Sequence, residues 1–256
     1  MKKNIKEYML SIKKEQNRLA FMPFFMCGYP SIEESIERMK ILLKYADVLE
    51  VGVPFSDPLA DGEVIQNASK IAIESDFKTQ DAFKIIKEAN KNFQKPIVIL
   101  CYLNTVLQYG VGQFAKDATN AGVRAILMPD LPPEEADVVR GEMQKNHIEL
   151  VNIISTNTPI ERVKHIDSIT NSFLYFVSKP SITGVSGQSI SDETIEKINQ
   201  FKSFIANPLY IGFGVSSKDQ IAQYAKTKAD GFIIGSKLIT LEDKNKMIEF
   251  LNSICI

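Results

Sequence analysis

Asp47–Gln66, DVLEVGVPFSDPLADGEVIQ, is the stretch on which the reading of this chain turns. Val48, Leu49, Val51 and Val53 form the apolar run of a strand covered on both faces. Glu50 interrupts it. An unpaired carboxylate costs several kcal/mol to bury, so a Glu in such a strand needs a partner, a raised pKa or a chemical task. Pro54 ends the strand, a loop with Asp57, Asp61 and Gly62 follows, and an apolar helix opens near Ile65. A carboxylate at the end of a buried strand, with others in the next loop, is how acid–base sites are built on α/β scaffolds. A plainer reading has Glu50 paired with a Lys or Arg, and Asp57 and Asp61 holding turns.

Outward from that stretch the same alternation repeats. Apolar strand candidates fall at 20–25, 48–53, 97–102, 125–128, 149–154, 173–177, 209–212 and 231–234. Helix-like stretches lie between them at 31–44, 65–74 with 79–92, 111–121, 133–146, 159–169, 191–202, 216–226 and 240–254. An amphipathic helix over 3–16 precedes the first strand, with Ile5, Met9 and Ile12 at helical spacing. Ser31 with Glu34, and Ser191 with Asp192 and Glu193, are helix-start signals. No Pro/Gly-rich linker divides the chain. Eight strand–helix units in one domain spanning residues 1–256 predict an α/β fold, a single (β/α)8 TIM barrel with an extra N-terminal helix. A doubly wound open sheet is the competing arrangement, because strand count alone does not prove closure.

Composition narrows the function classes. The 256 residues are 45% hydrophobic and 24% charged with a net charge of −1, which argues against nucleic acid or an anionic membrane as the main partner. Cys27, Cys101 and Cys255 lie far apart, and the charged start MKKNIKEYMLSIKKEQ lacks a signal peptide's apolar segment. The expectation is a reduced, cytoplasmic protein. His147 precedes strand five and His165 lies in a helix, so no His or Cys cluster at strand ends offers a usual metal site.

In a barrel, function sits where strands end and loops begin. Gly212-Phe213-Gly214 after strand seven and Gly235-Ser236 after strand eight occupy the customary phosphate-binding positions, although such glycines also serve tight turns. Ser178–Gln188 (SKPSITGVSGQ) is long and polar, as a lid over the pocket or an ordinary surface loop would be. Lys179 is the candidate for a Schiff-base aldolase, placed in a loop rather than a desolvated interior.

The motifs LEVGVPFSDPLADG (Leu49–Gly62), PFFMCGYP (Pro23–Pro30), PDLPPEE (Pro129–Glu135), SITG (Ser181–Gly184), GFGVS (Gly212–Ser216) and IIGS (Ile233–Ser236) resemble the tryptophan synthase alpha subunit over nearly the whole chain. The resemblance implies a lyase that cleaves indole-3-glycerol phosphate to indole and glyceraldehyde 3-phosphate in tryptophan biosynthesis. It implies no organic cofactor or metal in this chain. Glu50 matches the family's general acid/base and Asp61 the carboxylate at the indole N–H. Phe24, Leu100, Leu127 and Ile153 match the indole pocket. Tyr102 and Tyr175 match pocket positions, and Thr183, with Gly184 beside it, matches the lid. Phe213, Gly214, Gly235 and Ser236 match the phosphate cradle.

The implied partner is a pyridoxal-phosphate beta subunit in an alpha2beta2 heterotetramer, met by the loop Pro54–Asp61 and the region after Tyr102. Ser181 stands where the family commonly has Gly, Glu63 where it has Pro, and Ser155-Thr156-Asn157 where a Pro is common. Two readings stand beside this one: a phosphosugar aldolase using Lys179, and a non-catalytic phosphate-binding regulatory subunit. Bottom-up chemistry accommodates the lyase. Retro-aldol cleavage needs a proton on the ring carbon, removal of a hydroxyl proton and charge support at the ring nitrogen, tasks for Glu50 on its strand and Asp61 on a solvent-accessible loop.

Overall fold

A computed structural model describes residues 4–177, 190–212 and 214–254. Eight parallel strands close on themselves in sequence order, each paired with the next and the last with the first. They are β1 Ala20–Met26, β2 Leu49–Gly52, β3 Ile97–Leu100, β4 Val123–Leu127, β5 Glu149–Ser155, β6 Leu174–Val177, β7 Leu209–Ile211 and β8 Gly231–Ile234. Closure excludes the open-sheet alternative, and it explains why the strands read as near-continuous apolar runs: one face fills the barrel and the other meets helices.

The helices before and within the first half are α1 Ile5–Gln16, α2 Ile32–Tyr45, α3 Glu63–Glu74, α4 Thr79–Asn90, α5 Leu103–Tyr109 and α6 Val111–Ala121. The second half adds α7 Asp137–Lys145, α8 Ile160–Ile169, α9 Asp192–Phe201, α10 Lys218–Tyr224, α11 Ser236–Thr240 and α12 Lys244–Ile254. Ser31 and Ser191 cap α2 and α9 as expected, each accepting a hydrogen bond from an N–H three residues on. The stretch 133–146 divides into a 3₁₀ turn, Pro133–Glu135, and α7, because Pro132-Pro133 favours a tight first turn over a full helix. The helix expected over 240–254 is α12, opening at Lys244. The short α5 and α11 are additions to the expected elements.

Register decides what faces inward. Phe24 pairs with Glu50, Glu50 with Val98, Val98 with Ala125 and Ala125 with Glu149, and neighbours in register share a face. The next inward rung carries Met26, Gly52, Leu100 and Leu127. On the other side Ile153 pairs with Tyr175, Tyr175 with Tyr210 and Tyr210 with Gly231. The rings of this layer need space: a Cβ on Gly212 would overlap the Tyr175 ring, and one on Gly231 would overlap Tyr210. Large residues are set against missing side chains, and the interior is filled rather than hollow.

The amino-terminal mouth is closed by α1, which buries Ile5, Met9 and Ile12, the residues its spacing selected. Two aspartates tie this end together. Asp47 takes both Arg18 guanidinium nitrogens at 2.7 Å and the Phe21 N–H at 2.8 Å. Asp230 accepts from Leu209 N–H at 2.8 Å and pairs with Lys202 at 2.8 Å and Lys13 at 3.7 Å.

Candidate active site

Glu50 is fully buried in β2, on the inward face. Among the described residues neither carboxyl oxygen has a hydrogen-bond partner. The plain ion-pair reading finds no Lys or Arg partner for it among the described residues. Burial pushes its pKa up to about 8, with the Asp61 charge adding to the rise. The Tyr175 hydroxyl lowers it somewhat, yet that hydroxyl donates its own hydrogen bond to the Gly212 carbonyl at 3.4 Å. A carboxyl near neutrality in its pKa can both give and take a proton at physiological pH.

Asp61 lies in the loop after β2 and is half-buried rather than solvent-accessible. Burial raises its pKa to about 6, and the Tyr102 hydroxyl, donating at 3.3 Å, lowers it. The same Tyr102 oxygen accepts the Ala60 N–H at 3.0 Å, so the tyrosine holds both the loop backbone and its carboxylate. Phe55 stacks on the Tyr102 ring with centroids 4.8 Å apart. Ser69 in α3 clasps the backbone of Phe55 through its N–H and its carbonyl, each at 2.8 Å. Phe55 and Ser69 are functional supports that the sequence reading passed over. Their signal was a Ser on the otherwise apolar face of α3. The helix itself opens at Glu63, two residues before Ile65, with Gly62 as its cap.

The expected pocket residues share one face. Phe24, Leu100, Leu127, Ile153 and Tyr175 all sit at inward register positions, Phe24 directly beside Glu50. Phe24 and Leu127 are buried, while Leu100 and Ile153 retain partial exposure. Tyr102 and Tyr175 have pKa values raised by burial and by nearby carboxylates, so both remain protonated and act as donors. Cys27 and Cys101 are fully buried with thiols pushed up by burial, consistent with packing rather than nucleophilic use.

Gly214 has φ +75°, a left-handed conformation that favours glycine, and open space where a side chain would stand. Gly235 caps α11, of which Ser236 is the first residue. The two loops follow β7 and β8, where the glycine pattern put a phosphate. Thr183, Gly184, Phe213 and Lys179, and with them the Ser178–Gln188 segment, lie outside the described residues. Among the described residues there is no group of three or more His, Cys, Asp or Glu that could hold a metal ion, and no helix long and apolar enough to cross a membrane.

A closed parallel barrel, with two carboxyl groups of raised pKa at the carboxyl end of one strand and glycine loops after the last two, defines the class: a (β/α)8 enzyme. The family model for the tryptophan synthase alpha chain matches residues 10–251. The tryptophan synthase alpha chain of Bacillus cereus is 37% identical over 243 residues, covering 93% of each chain. That of Caldicellulosiruptor saccharolyticus is 37% identical over 243 residues, covering 94% of each. Among solved structures, the tryptophan synthase a2b2 complex of Pyrococcus furiosus contains a chain with a TM-score of 0.84 at 33% identity, with 92% of this chain and 96% of that one covered. A tryptophan synthase chain from M. tuberculosis gives a TM-score of 0.89 at 28% identity, with 99% and 98% covered. The chain therefore belongs to the tryptophan synthase alpha chain family.

Proposed function

We propose that this chain cleaves indole-3-glycerol phosphate to indole and glyceraldehyde 3-phosphate, with Glu50 as the proton shuttle and Asp61 as the counter-charge at the ring nitrogen. The observation that carries this reading is Glu50: fully buried, without a partner among the described residues, and poised near pH 8. In the neutral form Glu50 delivers a proton to the indole ring carbon that bears the side chain. Positive charge develops on the ring nitrogen, where ionised Asp61, its pKa about 6, is opposed to it. The Glu50 carboxylate then takes the proton of the side-chain hydroxyl next to the ring. The carbon–carbon bond breaks, its electron pair returns to the ring, and the freed aldehyde is glyceraldehyde 3-phosphate. One proton is given and one taken, so the acid is restored.

Phe24, Leu100, Leu127 and Ile153 supply an apolar wall for the indole, and Tyr102 keeps Asp61 oriented. Gly214, Gly235 and Ser236 receive the phosphate.

The chain acts with a pyridoxal-phosphate beta subunit in an alpha2beta2 heterotetramer, the assembly named for the Pyrococcus furiosus relative. Two apolar side chains fit a partner surface on the expected segments: Leu59, 91% exposed in the Asp61 loop, and Leu107, 47% exposed on α5. A partner that fixes this loop also fixes Asp61, and couplings of this kind amount to roughly 5–150-fold. Its compartment is the cytoplasm, in keeping with the charged start of the chain. The test is to incubate the pure chain with indole-3-glycerol phosphate, with and without a beta subunit, and measure indole. Slow release alone and faster release with the partner is the expected result; no indole in either mixture overturns the proposal.

A further inference from the structure

At the amino-terminal mouth, away from Glu50, a groove of about 550 Å³ runs beside the starts of β3 and β4 and the ends of α4 and α6. Its walls carry Lys87, Lys91, Lys95 and Arg124, and among the described residues no carboxylate lines it. None of these four cations forms an ion pair among the described residues, whereas many other basic side chains of the chain do. Gln94 and Asn120 add neutral hydrogen-bonding groups to the same walls. In a chain whose net charge is −1, this is a concentrated departure from the average.

A structural use for these cations exists. Lys87 and Lys91 sit at the carboxyl end of α4, and α6 ends at Gly122 on the same groove. A helix end carries a partial charge of about −0.5, and basic side chains there are favourable. Two such ends offset about one of the four positive charges, which leaves a surplus of about three. The volume falls within the roughly 300–1,000 Å³ typical of small-molecule sites. An extended nucleic acid would call for a longer basic stripe and a basic chain.

We propose that this groove is a second anion site, which takes a small molecule carrying two or more phosphate groups. Such a ligand matches the surplus charge, and its terminal oxygens accept from the ammonium and guanidinium donors.

The test is calorimetric titration of the full chain with inorganic tripolyphosphate, in saturating glycerol phosphate so that any phosphate site at the opposite mouth is already filled. One saturable site is expected, weakening as salt is raised. The double variant Lys87→Glu/Lys91→Glu, both positions being exposed, should bind at least about tenfold more weakly, roughly 1.4 kcal/mol. Lys226→Glu/Lys246→Glu changes the net charge equally at exposed positions elsewhere and should bind within about threefold of wild type, less than 1 kcal/mol. Thermal unfolding of each variant establishes that it is folded. If the first pair fails to fold, Lys87→Gln/Lys91→Gln replaces it, with an expected loss of at least about threefold. Absence of saturable binding, many weak sites per chain, or equal weakening by both pairs overturns the proposal.

Discussion

Asp47 and Glu50 have only Val48 and Leu49 between them, yet they stand in opposite electrostatic settings. Asp47, at the amino-terminal mouth, has a bidentate Arg18 and a backbone N–H on its oxygens. Asp230, at the same end, has Lys202 and the Leu209 N–H. Glu50, further into the barrel, has neither cation nor hydrogen bond among the described residues, and Asp61 has a single tyrosine hydroxyl. The first pair spends its charge on holding strands in place. The second pair is left with charge that is costly to form, which is what a proton-transferring group requires. In the proposed function Asp47 and Asp230 thus serve stability, and Glu50 and Asp61 serve chemistry.

The sharpest way to break this contrast is Glu50→Gln. Indole release should fall about 10²–10⁴-fold, the range for loss of a general acid–base group. Activity within a few-fold of wild type would end the assignment. The same variant tests the electrostatics. An acid whose pKa is about 8 folded and 4.5 unfolded binds more protons when folded across that window, so wild-type stability should decline as pH rises from 4.5 towards 8. Glu50→Gln should flatten that decline, and unfolding midpoints across the window will show whether it does. An unchanged slope would mean that Glu50 is not the buried acid described.

Asp230→Ala addresses the other mouth. It strands Lys202, which is 13% exposed, and should cost about 3–5 kcal/mol of stability, as breaking a buried pair does. Turnover per folded molecule should be unchanged. A large loss of turnover with an unaltered unfolding midpoint would erase the division between the two ends.

Asp61→Asn should reduce turnover about 10²-fold, about 2.7 kcal/mol in the barrier, with an unfolding midpoint close to that of wild type. If activity falls only in step with stability, Asp61 is a turn residue. The smallest effect belongs to Arg18→Met. Arg18 is 35% exposed, and its loss should cost about 1 kcal/mol because solvent already screens the pair. A loss as large as that of Asp230→Ala would show that Arg18 carries the amino-terminal mouth.

Much of the barrel was readable because each buried strand is an apolar run broken off by Gly, Pro or polar residues. Glu50 stood out as a charge where periodicity demanded none. The short α5 was missed because seven residues after Tyr102 give too little periodicity to separate a helix from a strand-end loop. The Asp61–Tyr102 contact joins residues 41 apart, and no local pattern records it. That contact also explains why Asp61 is half-buried instead of open to solvent. Asp47 and Asp230 were passed over, although each lies just ahead of its strand and could have been read as a pair. Their partners Arg18 and Lys202 come from the segments ahead of the neighbouring strands, and the pairing of β1 with β2 and of β7 with β8 brings them together.

Gly212 and Tyr175 have a consequence for how this protein can change over generations. The ring occupies the volume that a side chain at 212 would fill, so neither position is free to drift alone. Enlarging 212 first evicts the ring from beside Glu50; shrinking 175 first opens a void in the barrel floor of the pocket. Each route passes through a damaged intermediate, and only a joint replacement crosses without loss. Lineages descended from this chain should therefore hand down the two residues as one unit. A library randomised at both positions should recover active members as large–small or small–large combinations, with few of any other kind.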